Sequence, residues 1–155
     1  MKLAVSNIAW KEQHDEAVYA LMRHYGFTGL EIAPTRFFPE VPYSHLIPMQ
    51  KLAARLREHG FTLPSMQSLL AGHPELRLFE GTEKREALFA YLKQAVLFAE
   101  AGGIRNLVFG SPKNRISHDE KDWETAIDFF TKLAHFASAH GLSLIHISEP
   151  TRLLS

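Results

Sequence analysis

The feature that most constrains the fold is a junction pattern, in which a helical segment ends at a glycine and a short apolar run follows. The pattern occurs at Gly26, Gly60, Gly102 and Gly141, with spacings of 34, 42 and 39 residues. Glycine readily adopts the left-handed backbone conformation that ends many helices. The apolar runs have the length of buried strands. The sequence therefore predicts four helices, each followed directly by a strand.

Apolar side chains recur at helical spacing in the four segments that precede these glycines. The four stripes are Val18, Leu21, Met22 and Tyr25; Leu46, Met49, Leu52, Ala53 and Leu56; Leu88, Leu92, Ala95 and Ala99; and Trp123, Ile127, Phe130, Ala134 and Ala137. This spacing predicts that the aromatic residues belong to the core rather than to a base-stacking surface. Thr82 is the predicted N-cap of the third helix, and residues 117–120, SHDE, are predicted to form a capping box for the fourth.

A first strand at residues 3–9 precedes the first helix, so that five strands alternate with four helices. This order predicts an α/β fold with a parallel sheet. An open doubly wound sheet fits it, and so does a (β/α)8 barrel cut short, since a full barrel needs about 250 residues. The first loop, SNIAWKEQ, lacks the glycines of a phosphate-binding turn, which disfavours the nucleotide-binding sheet. Strand order discriminates the two, because a doubly wound sheet reverses at its first strand.

Composition excludes several classes of function. The chain has 155 residues, 46% of them hydrophobic, which suits one domain. Lys plus Arg and Asp plus Glu number 17 each, and this neutrality argues against a nucleic-acid partner. The absence of cysteine excludes disulfides, a thiolate nucleophile and a Cys-type zinc site. The N-terminal segment is too short and too polar for a signal peptide or membrane span, so we expect a cytoplasmic protein with no membrane partner.

Ligands in parallel α/β folds bind at the carboxyl ends of the strands, which selects the polar residues of interest. These are Asn7, Trp10, Glu31, Gln67, Ser68, His73, Ser111, Lys113, Asn114 and Arg115. Glu31 interrupts an apolar strand, and its neighbours Leu30 and Ile32 point to the opposite face. In a barrel Glu31 would face the interior, where a carboxylate needs a cation or hydrogen-bond donors. A site role and a structural ion pair with Arg36 or Lys113 both remain open.

Residues 106–115, NLVFGSPKNR, predict a buried strand that ends in a cationic loop. Ser111, Lys113 and Arg115 are suited to binding a phosphate or carboxylate. On an extended loop, Lys113 and Arg115 would share one side. The alternative is a solvated loop that leads into the fourth helix.

The nine histidines form no H-x-H or H-E-x-x-H motif. His24, His59 and His140 come just before glycines, where a histidine interacts favourably with a helix C-terminus. His73 is the exception, because it follows the third strand on the ligand side. The sequence contains no G-x-S-x-G motif, so it gives no indication of a serine hydrolase.

Three segments, GLEIAPTRFFP, LPSMQSLLAG and LVFGSPKNR, resemble the xylose-isomerase-like TIM barrels. This group of sugar phosphate isomerases and epimerases also contains endonuclease IV, and the similarity extends from residue 1 to about residue 144. The resemblance implies the N-terminal half of a (β/α)8 barrel over residues 1–147, with about four βα units in sequential order and a disrupted fifth strand. Residues 148–155 are expected to be a non-native or disordered tail.

The resemblance also implies metal-dependent isomerisation or epimerisation of a sugar or sugar phosphate. In the family a divalent metal (Mn, Mg, Co or Zn) acts as a Lewis acid on the sugar oxygens. Glu31, Gln67, Ser111, Lys113 and Arg115 occupy positions where such barrels contact substrate. The family metal ligands are expected beyond residue 147.

We therefore expect this chain to bind no metal and to be inactive alone, unless two copies pair through exposed barrel edges. The family has Glu-Pro-Asn in its fifth strand, whereas Glu149-Pro150 comes two residues late here and is followed by threonine. Glu149 is accordingly not assigned as a metal ligand.

Two other functions stay open. One is a non-catalytic small-molecule-binding or scaffold α/β domain. The other is a phosphodiester hydrolase of the endonuclease IV kind. That enzyme needs metal-binding histidines in its early strands, where this sequence has SMQS and FGSP.

Overall fold

The computed structural model describes residues 2–117 and 119–146. Strands and α-helices alternate along the chain as predicted. They are β1 Leu3–Ser6, α1 Asp15–His24, β2 Phe27–Glu31, α2 Leu46–Glu58, β3 Ser65–Met66, α3 Thr82–Ala101, β4 Asn106–Phe109, α4 Asp122–Ala139 and β5 Ser143–His146. No helix in these ranges is long and apolar enough to cross a membrane.

The strands are parallel and lie side by side in chain order. β1 pairs with β2, and β4 pairs with both β3 and β5. Parallel bridges from Gly29 to Thr62 and from Ile32 to Met66 join β2 to the β3 segment. The order is therefore 1-2-3-4-5 without reversal, which excludes the doubly wound sheet and confirms a partial barrel. The described strands do not close into a cylinder.

The two faces of the sheet differ in polarity. In β4, Leu107 and Phe109 are buried against the helices, whereas Asn106 and Val108 on the other face are half-buried. The Phe109 ring meets the ring of Phe130 of α4 edge to face, with centroids 5.1 Å apart. The core thus lies between the sheet and its helices, and the opposite face is left for polar groups.

Three local predictions were wrong. β1 ends at Ser6 and gives way to a 3-10 turn, although a strand was predicted up to residue 9. Thr82 is the first residue of α3, and Gly81 is its N-cap. The capping box at residues 117–120, of which His118 lies outside the described residues, does not cap α4. Instead the Asp119 carboxylate accepts hydrogen bonds from the backbone N–H groups of Lys121 and Asp122.

The helix stripes were partly wrong. Tyr25 of the first stripe is 68% exposed and Trp123 of the fourth is 71% exposed, although both were predicted to lie in the core. Helical spacing places these residues on one face, but it does not show whether a neighbouring element covers that face. The buried residues of α4 are Phe129, Leu133 and Ala137.

Candidate functional site

Polar side chains from neighbouring strands form hydrogen bonds along the open face of the sheet, near the carboxyl ends of the strands. The Ser65 hydroxyl donates to Oε2 of Glu31 over 2.6 Å. The Gln67 amide donates to the Ser6 hydroxyl over 2.7 Å. These two bonds link β2 to β3 and β3 to β1. Because these side chains bond across the strands, they are held in place before any ligand arrives.

Ser6 and Ser65 were not predicted to belong to the site. Alternation along the third strand contained the signal for one of them. Ser65 is two residues before Gln67 and therefore shares its face. No comparable signal marked Ser6, because its role depends on a partner 61 residues away in sequence.

A cavity of about 300 Å³ lies beside this row, at the ends of β3 and β4. It is lined by Gln67, Ser68, Leu70, Ala71, Val108, Gly110 and Ser111. Ser68 and Ser111 both have positive φ angles, of 56° and 22°. Residues other than glycine adopt positive φ angles at a cost of order 1–3 kcal/mol, and such strain concentrates at functional sites. Two such residues lining one cavity single it out as the candidate site.

The loop after β4 is not extended. Pro112–Asn114 form a 3-10 turn, so the expectation that Lys113 and Arg115 share one side of an extended loop was wrong. Asn114 is buried and its amide donates to the carbonyls of His73 and Leu76 over 2.8 and 2.7 Å. This residue holds the two loops that carry the cavity against each other.

The two cations of this loop separate. The Lys113 side chain is exposed, and its backbone carbonyl accepts a hydrogen bond from Arg77. Arg115 donates from Nε to the Gly110 carbonyl over 2.9 Å, and its side chain lines a different groove, along α4. Gln67 and Ser111 are therefore brought together in one cavity, and Arg115 is not.

Glu31 has no ion pair with Arg36 or Lys113. Arg36 instead contacts Asp15, with 2.7 Å between Nη2 and Oδ1. The structural ion-pair interpretation of Glu31 is therefore wrong for both partners. The half-buried Glu31 carboxylate receives the Ser65 hydroxyl as its donor.

Asn7 fixes the ends of the first two strands to each other. It is fully buried, its Oδ1 accepts from the Ala33 backbone N–H over 2.8 Å, and its Nδ2 donates to the Ala33 carbonyl over 3.5 Å. Nearby, the Trp10 indole donates to Asp15 over 2.7 Å. Asn7 positions the backbone of the strand ends, Trp10 contacts the first helix, and neither residue is among those that line the cavity.

His73 belongs to a separate cluster. Its Nδ1 is 2.8 Å from Oε1 of Glu75, and its ring packs on Tyr91 with centroids 4.5 Å apart. Two hydrogen bonds lower the pKa of Glu75 below its usual 4.5. The larger cause is a bond from the backbone, and the second is the bond from His73. Burial raises the pKa of Tyr91 to about 12. His73 therefore stabilises its loop and does not line the cavity.

The described residues do not fit a divalent metal site. Such a site needs several carboxylate or imidazole ligands around one point. No group of three histidine, aspartate or glutamate side chains lies close enough to form one in residues 2–117 and 119–146. The Glu31 carboxylate accepts a hydrogen bond from the Ser65 hydroxyl, and one carboxylate with one serine does not make up such a set of ligands. Glu149 lies outside the described residues.

Comparison with known proteins gives the family. A family model described as xylose isomerase-like TIM barrel matches residues 19–147. The chain belongs to this family. The sequential half-barrel is the architecture that membership predicts. A comparison with curated proteins found no match.

Solved structures of the same fold are about twice as long. A sugar phosphate isomerase/epimerase from Parabacteroides distasonis has a TM-score of 0.72 and 16% identity, and the match covers 94% of this chain and 50% of that one. The D-psicose 3-epimerase of Clostridium cellulolyticum, solved with D-tagatose, has a TM-score of 0.68 and 19% identity over 93% and 51% of the two chains. An IolI protein with a bound zinc atom has a TM-score of 0.66 and 15% identity over 94% and 51%. This xylose isomerase-like chain thus spans about half of the structures that it matches.

Proposed function

We propose that this chain supplies the substrate-binding wall of an isomerase or epimerase that acts on a sugar or sugar phosphate. The observation that carries the proposal is the cavity at the ends of β3 and β4, where Gln67 and Ser111 converge with two strained backbones. Family membership and the sugar epimerases among the structural neighbours support the substrate class.

The lining of the cavity suits one face of a sugar. Gln67 and Ser111 offer amide and hydroxyl groups, which hydrogen-bond sugar hydroxyls in either direction. Leu70, Ala71 and Val108 offer an apolar surface for the sugar C–H groups. A volume of about 300 Å³ is at the lower end of small-molecule sites, which matches a monosaccharide.

Glu31 and Lys113 extend this wall. Ser65 orients the Glu31 carboxylate, which remains an acceptor for a substrate hydroxyl. The exposed Lys113 ammonium lies one turn of loop from Ser111 and suits the phosphate of a phosphorylated sugar. Arg115 contacts the Gly110 carbonyl, and in this proposal it positions the loop.

Metal dependence is part of the proposal for the parent activity only. A divalent metal would polarise the sugar carbonyl in the complete barrel. The described residues do not form its ligand set, so we assign this chain no step that runs through a metal. We expect the isolated chain to bind sugar without turning it over.

The test is a titration of the isolated chain by NMR with D-fructose and with fructose 6-phosphate. Each of Gln67→Ala and Ser111→Ala is expected to weaken binding of both sugars about tenfold, the effect of one lost hydrogen bond in a desolvated site. Lys113→Ala should weaken only the phosphate ester. Lys132→Ala, in an exposed pair with Asp128 on α4, is the matched control and should change neither.

Three results would overturn parts of this proposal. Equal sugar binding by the wild type, Gln67→Ala and Ser111→Ala proteins would show that the sugar does not bind in this cavity. Tight Mn²⁺ binding in a calorimetric titration, or turnover of D-fructose by the isolated chain, would contradict the expected inactivity.

A further inference from the structure

Tyr43 is a buried residue that connects the loop after β2 to the loop after β3. It lies in a 3-10 turn, Pro42–Ser44, that precedes α2. Its hydroxyl donates to the carbonyl of Leu69 over 2.7 Å, and both residues are buried. Within residues 2–117 and 119–146, no other donor reaches this carbonyl. The hydrogen bond of the Leu69 carbonyl therefore depends on one phenol from a different loop.

The rings around Tyr43 hold its phenol in place. Tyr91 and Phe98 of α3 meet the Tyr43 ring edge to face, with centroids 5.0 and 5.5 Å away. Burial, with a smaller effect of Tyr91, raises the pKa of Tyr43 well above 10.0. The hydroxyl therefore keeps its proton at neutral pH and acts there as a donor.

Backbone strain precedes Tyr43 in the chain. Val41 has a φ of 38°, which is rare for a β-branched residue. Its carbonyl accepts hydrogen bonds from the backbone N–H and the hydroxyl of Ser44, over 3.1 and 2.8 Å. Strain of this kind persists only where the surrounding structure enforces it. The position of Tyr43 is therefore enforced by its surroundings.

The other end of the bond lies next to a strained residue of the cavity. Leu69 directly follows Ser68, whose φ is 56°. The Ser68 hydroxyl donates to Oε1 of Gln67 in a long contact of 3.4 Å, and the Gln67 amide nitrogen donates to Ser6 over 2.7 Å. The two contacts bind opposite ends of the Gln67 amide. The turn at Ser68 thus contributes to the direction in which Gln67 presents its amide to the cavity.

We propose that Tyr43, which is not among the residues that line the cavity, is a positioning residue for sugar binding. Its hydroxyl holds the Leu69 carbonyl, which keeps Ser68 in its left-handed conformation and Gln67 in its orientation. Without the hydroxyl, a buried carbonyl has no donor, so the turn rearranges toward water. The same rearrangement relieves the strain at Ser68, and both effects act in one direction. The inference rests on the proposed function and extends its site to a residue outside the cavity.

The test compares Tyr43→Phe with Tyr91→Phe in the full chain. Each change removes one phenol hydroxyl from the same pair of rings, but the Tyr91 hydroxyl makes no hydrogen bond within the described part of the chain. Titration by NMR should give a dissociation constant for D-fructose that is about tenfold higher in Tyr43→Phe, the effect of one hydrogen bond. The dissociation constant should be unchanged in Tyr91→Phe.

A second measurement needs no sugar. The three-bond coupling between the amide and α protons of Ser68 reports its φ, and the side-chain amide signals of Gln67 report its contacts. Both should change in Tyr43→Phe and should stay as in the wild type in Tyr91→Phe. A role confined to stability would lower the denaturation midpoint of Tyr43→Phe but would leave these signals of the folded protein unchanged.

A double variant tests the route through Ser68. Glycine adopts a φ of 56° without strain, so the turn has less tendency to rearrange in a Ser68→Gly background. Tyr43→Phe should therefore raise the dissociation constant by only about twofold in that background, against about tenfold in the wild type, which measures the coupling of the two residues.

Three outcomes contradict the inference. They are equal sugar binding by the wild type and Tyr43→Phe, equal weakening by Tyr43→Phe and Tyr91→Phe, and an effect of Tyr43→Phe that Ser68→Gly does not reduce. A wild type that binds no D-fructose contradicts the proposed function instead. In that case the Ser68 and Gln67 signals alone decide whether Tyr43 positions them.

Discussion

At the scale of single residues, the molecule places its backbone strain where the candidate site lies. Of the three residues other than glycine with positive φ among the described ones, Ser68 and Ser111 line the same cavity and Val41 lies elsewhere. A glycine at either serine would relieve the strain but would remove a hydroxyl. The presence of serine at both positions is consistent with a use for that hydroxyl.

Ser111→Gly is therefore expected to stabilise the fold while weakening sugar binding. Relief of an unfavourable φ of 22° should raise the free energy of unfolding by about 1 kcal/mol, measured by urea denaturation. Ser117→Gly is the control, because Ser117 has no positive φ and its glycine variant should be neutral or less stable. A destabilised Ser111→Gly protein would show that the hydroxyl itself supports the loop.

Asn114 joins the two loops that carry the candidate site through its buried side-chain amide. Asn114→Ala leaves the carbonyls of His73 and Leu76 without their donor, and we expect a loss of about 3 kcal/mol in the free energy of unfolding. Lys113→Ala, one residue away and exposed, should change it by less than about 0.5 kcal/mol. If both variants lose similar amounts of unfolding free energy in the same denaturation experiment, the hydrogen bonds of Asn114 do not stabilise the fold as proposed.

At the scale of elements, β1 is attached to the molecule through a close approach to β2. A Cβ atom on residue 29 would lie 2.6 Å from the Cβ of Ala4, which is closer than such atoms approach. Glycine at position 29 is thus a condition for the β1–β2 pairing and not a flexible hinge. The Asn7 clamp to Ala33 holds the other end of the same pair.

Gly29→Ala is expected to destabilise the protein by about 2 kcal/mol or more, an overpacking effect. Ala4→Gly in the same chain should recover part of this loss, since it removes the nearest atom but leaves the Ala4 Cα at 3.2 Å. Thermal denaturation of the two single variants and the double variant measures the coupling. Strict additivity of the two changes would show that this contact does not cause the loss.

The elements also show where sequence patterns reach their limit. Glycine after a helix located all four helix-to-strand junctions, and His59 and His140 occupy the predicted C-cap positions. At the third junction, however, Gly102 has an ordinary φ and Gly103 has the left-handed one, at 64°. Helix starts were predicted less well than helix ends, because a cap depends on the rotamer of one side chain, as at Asp119.

At the scale of the whole molecule, three buried or half-buried tyrosines have raised pKa values. Burial raises the pKa of Tyr19 and Tyr91 to about 12, from a usual value of 10.0, and raises that of Tyr43 well above it. In Tyr43 the hydroxyl donates to the Leu69 carbonyl over 2.7 Å. The folded state therefore favours the protonated phenols more than the unfolded state does.

The stability that these tyrosines contribute should be fully present below pH 10.0 and should be lost as pH rises toward 12. Denaturation curves between these two values, followed by circular dichroism and tyrosinate absorbance, should show one cooperative alkaline transition. Tyr43→Phe should make the alkaline loss shallower, since its side chain no longer ionises. A loss of stability that begins well below pH 10 would assign the transition to other groups.

The sequence by itself determined the alternation of strands and helices and the junctions between them. These properties follow from periodicity and from glycine, which act over a few residues. Periodicity left the strand order open, and the bridges from β2 to the β3 segment confirmed the sequential order that the family resemblance implies. Tertiary structure alone decided the bond between Ser6 and Gln67 and the hydrogen bonds by which Asn114 holds the loop that follows β3. It also decided which apolar stripes are covered, as the exposed Trp123 shows. Each of these depends on contacts between residues far apart in the chain, about which local spacing contains no information.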